Sequence, residues 1–495
     1  MSLFAAASFI YALFRFGLSL HHDEWVGRGL YPGLAMGHGF DLYEPKTGPH
    51  VTLYGFGVAL FYSLTSVCTT PNQAIWLAFV LNVIGFSLPT AFLLNQSLKN
   101  YILEIKTRVW TIIGIIILLI SIFSTEPTTE GILRIHADMP ALFYLLASVC
   151  FFLKYNSSQK KIFLIFTAVA LCFSIWAKVT TIHAILYPLS FLLFQKRYVD
   201  ALTYIPVIIL SLITTFSIFT IFYGWNDTTF ILFKHITSGT WSIRNSLFDG
   251  TNAKLAKMNY IEAIPLMFRF FVMYLAEYWY IFSCCLGSLV LLINKAKNNS
   301  TDNIKLLTIN YFLLSPAGLV ALAHFGSVEN SLLFVNSCGI MVILFSIIII
   351  LREKISPKLF VFSIWSFALI FSLPFLRLSK GGKESSNDAP YNQAYEYLEK
   401  GNEDVYFGWY PIAHLFHSGD NYSCIETPIW VGMTRPKEID YSIDHFPKNA
   451  KYIATCPTGY GSIMLEQYLG ELEEINAPHE LSSWRLFKIK DTIER

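Results

Sequence analysis

The stretch Ile162 to Phe194, IFLIFTAVALCFSIWAKVTTIHAILYPLSFLLF, decides the fold. It has the length of two membrane-spanning helices and carries one strongly charged residue, Lys178, near its middle. Lipid offers no partners for backbone N–H and C=O groups. Apolar runs of about 17–25 residues therefore become helices, which satisfy those groups internally. Lys178 then marks the point where one helix ends and the next begins. An ionisable residue at such a break is a functional candidate by default. The competing reading is a topological anchor whose stem snorkels to the headgroups.

Working outward, ten more apolar runs resemble these two: 2–20, 51–69, 73–97, 109–124, 137–153, 200–223, 263–293, 306–323, 331–351 and 357–376. The whole chain agrees, with 54% hydrophobic and only 14% charged residues, against roughly a quarter charged in an ordinary soluble domain. This composition excludes a disordered, fibrous or nucleic-acid-binding protein. The net charge of +2 supplies no basic field for polyanions. The run Met1 to Leu20 lacks a basic n-region and a small-residue cleavage site, so a retained first helix is expected.

Lys/Arg-rich loops face the cytoplasm. They are Lys99–Arg108, Lys154–Lys161, Lys196 with Arg197, Lys295–Lys305 and Arg352–Lys358. The connections Ser124–Ala137, Gly224–Glu262 and His324–Asn330 then lie outside, as does the C-terminal part. Helix 1 leaves the loop Leu20–His50 outside while the loop at Lys99 is inside, so only one of the two runs between them crosses. The run 51–69, which carries Tyr54, Gly55, Gly57, Tyr62, Ser63 and Thr65, is the more polar. The expected fold is mainly α. It is a polytopic transmembrane helical bundle of about eleven crossings plus one interfacial or re-entrant helix, spanning residues 1–376, with a small extracytoplasmic α/β domain at 377–495.

In the C-terminal part the pattern predicts helices at Asn392–Lys400 and Pro411–His417. Strands are predicted at Asp404–Trp409, Tyr422–Ile425, Tyr452–Cys456 and Trp484–Ile489. No glycine-rich phosphate loop or G-x-S-x-G elbow is present, so a positioning or partner-binding role is expected. Six of the eight cysteines lie in apolar runs and read as small hydrophobes, whereas Cys424 and Cys456 form a bridge only if that part meets an oxidising compartment.

The candidates for chemistry cluster in the outer loops. The first holds His21, His22, Asp23, Glu24, Arg28, His38, Asp41, Tyr43, Glu44, Lys46 and His50. Asp23 directly follows helix 1, where a half-desolvated carboxylate has a raised pKa and suits a general base. A solvated Asp-Glu pair at a helix end is an equally good reading. Glu24 and Arg28 stand four apart, in the favourable order for an ion pair on a helix. The second loop holds Glu126, Glu130, Arg134, His136 and Asp138. Asp138 with Pro140 fits a helix N-terminus, while Arg134 and His136 suit a phosphate or a metal. Lysine at 178 suits a lipid-linked phosphate. The long loop 224–262, with Trp225, His235 and Trp241, suits a sugar, and Glu329 and Asn330 suit hydrogen bonds to a polar substrate or a helix cap.

These residues, in this order, resemble the GT-C membrane glycosyltransferases, particularly the branch of protein O-mannosyltransferases and lipid A aminoarabinose transferases. The resemblance rests on Asp23-Glu24 after the first helix, Asp41-Leu42-Tyr43, Pro49 to Gly57 with Tyr54-Gly55, and His136-Ala137-Asp138-Met139-Pro140. Ala177-Lys178 between two helices, Glu329-Asn330 and the C-terminal domain complete it. It implies transfer of a sugar from a polyprenyl-phosphate donor to a glycan, lipid or protein acceptor on the outer face, usually with inversion. Asp23 would be the base on the acceptor, with Glu24 beside it. Lys178 would stabilise the departing phosphate, with Arg134 a weaker candidate, and Arg28 and Asp138 are further candidates for binding substrate. Glu44 would match an acidic residue that binds a divalent metal in some members, with His235 as a second ligand. Glu44-Pro45-Lys46 stands where those members have an E-K-P-P-like run, so metal dependence stays open. The implied setting is a bacterial inner membrane with the site on the periplasmic side.

A lipid or solute transporter or flippase is the alternative. It would place polar groups near the midplane and often show internal repeats, and no repeat is evident here. A scaffold whose working part is the C-terminal domain is the third reading. Polar residues gathered in loops favour the enzyme.

Overall fold

The computed structural model describes residues 2–20, 25–40, 55–99, 101–102, 104–229, 240–243, 254–257, 261–294, 302–323, 329–379, 390–402, 404–419, 450–455, 473–482 and 484–488. The chain runs through α1 (Ser2–Leu20), α2 (Trp25–Gly37), α3 (Phe56–Tyr62, continued by a 3-10 turn Ser63–Val67), α4 (Pro71–Leu98), α5 (Ile105–Thr125), α6 (Asp138–Ser158) and α7 (Lys161–Ala177). A 3-10 helix, Val179–Leu186, leads into α8 (Tyr187–Phe194) and α9 (Tyr198–Thr229). A two-stranded antiparallel ribbon follows, β1 (Thr240–Ile243) with β2 (Lys254–Lys257), so the long loop has structure of its own. Then come α10 (Ile264–Asn294), α11 (Asp302–Ala323), α12 (Leu333–Lys354) and α13 (Pro357–Ser379).

The protein is a polytopic bundle, and the described part of each of the twelve apolar runs is mainly helical. Among the described residues nine helices are long and apolar enough to cross a membrane. The shorter apolar segments are 56–67, 161–177 and 179–194. Segment 56–67 gives only about 20 Å of rise, against a hydrocarbon thickness of about 30 Å. Its length is what an interfacial or re-entrant element requires. The longest of the early helices, α4, starts sharply. Thr70 accepts from the Gln73 N–H, Pro71 occupies the first turn, and the Gln73 side chain accepts from the Thr69 N–H and hydroxyl.

Helices α5, α6, α11 and α12 bury most of their surface and form the centre. On α9, Leu202, Ile209, Leu210, Ile213 and Ile221 are left exposed. Exposed aliphatic side chains in such numbers belong against lipid tails. Helix α1 packs on α13 near the periphery, where Phe9 and Phe16 approach the Phe375 ring at 6.2 and 6.1 Å.

At the end of the bundle that bears the basic loops, polar side chains tie four helices together. Asn156 donates to Asp302 at 2.7 Å, and Lys305 pairs with Asp302 at 3.2 Å. Asn303 donates to the Ser97 hydroxyl at 2.5 Å, Tyr155 donates to Asp200 at 2.9 Å, and Arg197 pairs with Asp200 at 2.6 Å. Asp302, Asn303 and Lys305 are buried.

One element was not expected from the sequence. The thirteen-residue α2, read there as part of an outer loop, is a buried helix whose Val26, Leu30, Tyr31, Leu34 and Ala35 are closed off from solvent. It lies between the second loop and the C-terminal part, and it fits because of Gly29. A Cβ at that position would stand 2.0 Å from the Ile135 carbonyl oxygen and 3.1 Å from the His136 Cα. Backbone atoms cannot swing aside as a side chain can. Gly29→Ala is therefore expected to destabilise the protein by about 1–3 kcal/mol, read as a lowered Tm in detergent. An unchanged Tm would mean that α2 is less tightly seated than this.

The C-terminal part contains α14 (Pro390–Glu399), β3 (Val405–Tyr406), α15 (Ile412–Ser418), β4 (Tyr452–Thr455), β5 (Glu473–Ile475) and β6 (Arg485–Lys488). The sheet order is β3-β4-β6-β5, with β3 parallel to β4 and the other pairs antiparallel. This is the expected small sheet with flanking helices. The strand expected at Tyr422–Ile425 lies outside the described residues, as do Cys424 and Cys456. Strand β5 was not anticipated. It is a short charged edge strand whose Glu474 takes a bidentate pair from Arg485 at 2.7 and 2.6 Å, and edge strands carry charge instead of apolar alternation.

Candidate functional site

Lys178 breaks the helix as its position in the sequence implies. Its backbone is extended (φ −152°, ψ 112°), while its N–H still closes the last turn of α7 on the Ser174 carbonyl at 2.9 Å. The Ser174 hydroxyl donates to the Ala141 carbonyl at 2.8 Å, so the end of α7 is fastened to the first turn of α6. The Lys178 carbonyl accepts from the Thr181 N–H and hydroxyl, which starts the 3-10 helix.

These bonds bring the Lys178 ammonium onto the Asp138 carboxylate, whose other oxygen lies 2.6 Å from His136 Nδ1. Asp138 is fully buried, while Lys178 and His136 keep 14% and 13% of their side chains exposed. With Asp138 ionised, the imidazole donates its Nδ1 N–H to the carboxylate. The Phe334 ring, in the first turn of α12, lies 5.7 Å from the Lys178 nitrogen. An ammonium has three N–H donors, and among the described residues Asp138 takes one of them. Asp138 opens α6 with Pro140 in the same turn, as the sequence implies, but its carboxylate is not a cap. Ala137 is the N-cap of α6, no side chain caps it, and the Asp138 carboxylate serves Lys178 and His136.

The segment before α6 is held from below by a residue of α4. Asn82, buried in the middle of an apolar helix, donates to the Arg134 carbonyl at 2.9 Å and accepts from the Tyr62 hydroxyl at 2.8 Å. The same hydroxyl lies 3.3 Å from the His136 carbonyl. A second buried chain runs beside it. Asn336 donates to the Thr128 hydroxyl at 2.7 Å and accepts from Tyr274 at 2.9 Å, and Tyr274 meets Tyr311 at 3.0 Å. Glu126 accepts from Tyr278 at 2.6 Å, at the point where α10 departs from helical geometry. Asn336 and Phe334 share the first turns of α12, so this chain also seats the ring over Lys178.

Of the residues expected to form a site, the structure brings Lys178 and Asp138 together, adds His136, and places half-buried Arg134 on the same segment. Arg28 lies in α2, and Glu329 and Asn330 open the turn Glu329–Leu332 before α12; their side chains lie outside the description. Asp23, Glu24, Glu44 and His235 fall outside the described residues altogether. Among those described, no group of three or more His, Cys, Asp or Glu is arranged to hold a metal. Tyr62, Asn82, Asn336 and Tyr274 were missed by the sequence reading. Asn82 alone gave a signal, as an amide in the middle of a membrane helix.

The described residues thus form a many-helix membrane bundle with a polar cluster at a helix break near one end and a small α/β unit toward the C-terminus. Two solved structures of one protein share this fold. ArnT from Cupriavidus metallidurans bound to undecaprenyl phosphate superposes over 99% of this chain and 98% of its own, with a TM-score of 0.55 at 10% sequence identity. The apo state of the same protein superposes over the same shares, with a TM-score of 0.53 at 11% identity. No protein-family model matches the sequence, and no curated protein sequence matches it.

Proposed function

We propose that this protein is an integral-membrane glycosyltransferase that moves a sugar from a polyprenyl-phosphate donor to an acceptor at the outer face of a bacterial inner membrane. The observation that carries the reading is the Lys178 ammonium, held on buried Asp138 at a helix break. It lies within a fold shared with a protein whose structure was solved with undecaprenyl phosphate. Polar groups gathered at one end of the bundle, with the opposite end tied by interhelical hydrogen bonds, favour chemistry at a surface over passage through the middle.

In this reading an acceptor hydroxyl or amine attacks the anomeric carbon as Asp23 takes its proton, with Glu24 beside it. The bond from that carbon to the phosphate oxygen breaks, and the lipid phosphate leaves with the electron pair. Lys178 stabilises the charge that develops on the phosphate, a charge-assisted contact that strengthens along the reaction. Asp138 and His136 keep the ammonium pointed at it, so the substrate role expected of Asp138 becomes an indirect one. Arg134 and Arg28 are further phosphate contacts, and Glu329 and Asn330 bind the sugar. Glu44 and His235 are the residues to examine for a divalent metal.

The test is transfer of labelled sugar from a pool of polyprenyl-phosphate sugars by purified wild-type protein in lipid nanodiscs. Turnover with release of lipid phosphate is expected. No transfer from any donor, alongside vectorial movement of lipid or solute in vesicles, would replace the enzyme with a transporter.

A further inference from the structure

The short helix α3 touches both arms of the candidate site. Its beginning lies on the last turn of α7, the turn that ends at Lys178. A Cβ at Gly55, just before α3, would overlap the Trp176 carbonyl oxygen, and one at Gly57 would stand 2.5 Å from the Phe173 carbonyl oxygen and 2.7 Å from the Ala177 nitrogen. Main chain meets main chain here, and only glycine lets the two approach so closely. The last residue of α3, Tyr62, reaches the other arm. Its hydroxyl donates to Asn82 Oδ1 at 2.8 Å and stands 3.3 Å from the His136 carbonyl oxygen. An amide oxygen can only accept and an amide nitrogen can only donate, so this bond turns the Asn82 nitrogen toward the second loop. There it donates to the Arg134 carbonyl at 2.9 Å and lies 3.4 Å from the Leu133 carbonyl oxygen. Tyr62 and Asn82 are both fully buried, where a polar group left without its partner is costly. The hydroxyl, the amide and the loop carbonyls therefore hold one another in a single arrangement.

We propose that Tyr62 is a positioning residue for the donor phosphate. Through Asn82 it sets the main chain at Arg134 and His136, while the other end of its helix seats the turn that ends at Lys178. One element thus fixes the spacing between the two arms that carry Arg134 and Lys178. Tyr62 and Asn82 are closed off from solvent, so they act through the groups they hold. The inference rests on the transferase reading for the identity of the ligand and on the hydrogen bonds of Tyr62 and Asn82 for the geometry. Misplacing a group that faces the reacting atoms by about 1 Å can cost roughly 100-fold in rate.

Tyr62→Phe removes the hydroxyl and keeps the ring, together with the Cβ and main chain against which Gly33 of α2 packs. Asn82→Leu removes the amide at similar volume. The probe is undecaprenyl phosphate, added as an inhibitor of sugar transfer by wild type and variants in nanodiscs. Each variant is expected to lose roughly 10- to 100-fold in donor kcat/KM, with the Ki for undecaprenyl phosphate rising alongside. The combined variant should lose no more than the worse single one, because the two residues act through one bond. Ser97→Ala supplies the comparison. It takes from Asn303 an acceptor at the basic end, and its Tm should fall while Ki and kcat/KM stay at wild-type values. A Tyr62→Phe protein with a lowered Tm but wild-type Ki and kcat/KM overturns the proposal, makes the bond structural only, and leaves the transferase reading intact. A Ki that rises as much in Ser97→Ala also overturns it, because phosphate binding would then follow stability in general. If wild type transfers no sugar, the transferase reading falls, and protection against heat by undecaprenyl phosphate decides the rest. Weaker protection of Tyr62→Phe than of wild type supports the positioning role, whereas equal protection of both, or protection of neither, overturns it.

Discussion

Replacing Lys178 by methionine is expected to destabilise the protein by about 3–5 kcal/mol and to abolish sugar transfer. The first effect follows from Asp138, which is fully buried. Without the ammonium its carboxylate loses the cation that faces it, and removing one member of a buried pair leaves a buried charge poorly compensated. Replacing both members, Lys178→Met with Asp138→Leu, should recover much of that stability, because apolar side chains of similar volume substitute well for a buried ion pair. The double variant separates two roles that the single variant confounds. If the pair only holds α6 to α7, restoring the fold restores turnover. If the ammonium also faces the leaving phosphate, the double variant melts near wild type and stays inactive. The measurement is Tm in nanodiscs alongside turnover for all four members of the cycle. An active, stable double variant would remove Lys178 from the chemistry.

The second large effect is expected at Asp23. General-base catalysis is worth about 100- to 10,000-fold, and Asp23→Asn keeps size and hydrogen bonding while removing the proton acceptor. We expect kcat to fall within that range, with Tm within a degree or two of wild type and with donor still protecting the protein against heat. That pattern differs from the Lys178 variants, in which stability and activity fall together. Wild-type turnover by Asp23→Asn would exclude it as the base and point to another carboxylate of the first loop, with Glu24 the next to test.

The membrane architecture was legible because lipid enforces it. The described part of each apolar run is mainly helical, and the break at Lys178 was visible as a charge where none is tolerated. What stayed hidden depended on contacts between distant parts of the chain. Helix α2 is short and glycine-rich, and what it contributes is the set of backbones it lies against; a glycine chosen to admit the Ile135 carbonyl looks, in the sequence, like a glycine in a loop. Asp138 was ambiguous for the same kind of reason. An acid followed two residues later by proline is an ordinary helix start, and only the fold reveals that its carboxylate meets a lysine 40 residues onward. Asn336, Thr128 and Tyr274 are common residues in unremarkable positions until two helices and a turn bring them together. Strand β5 was lost because edge strands shed the apolar alternation that betrays inner ones.

The tie at the basic end bears on how the chain is made. Helix α11 opens with Asp302, Asn303 and Lys305, side chains that a nascent helix would carry into the edge of the bilayer at high cost if alone. Two partners they take outside their own helix, Ser97 in α4 and Asn156 in α6, precede them in the chain. Synthesis proceeds from the N-terminus, and earlier segments fold first. By the time α11 leaves the ribosome, these hydrogen-bond partners of its first turn are already in the membrane, and the order of the genetic message becomes part of the assembly pathway.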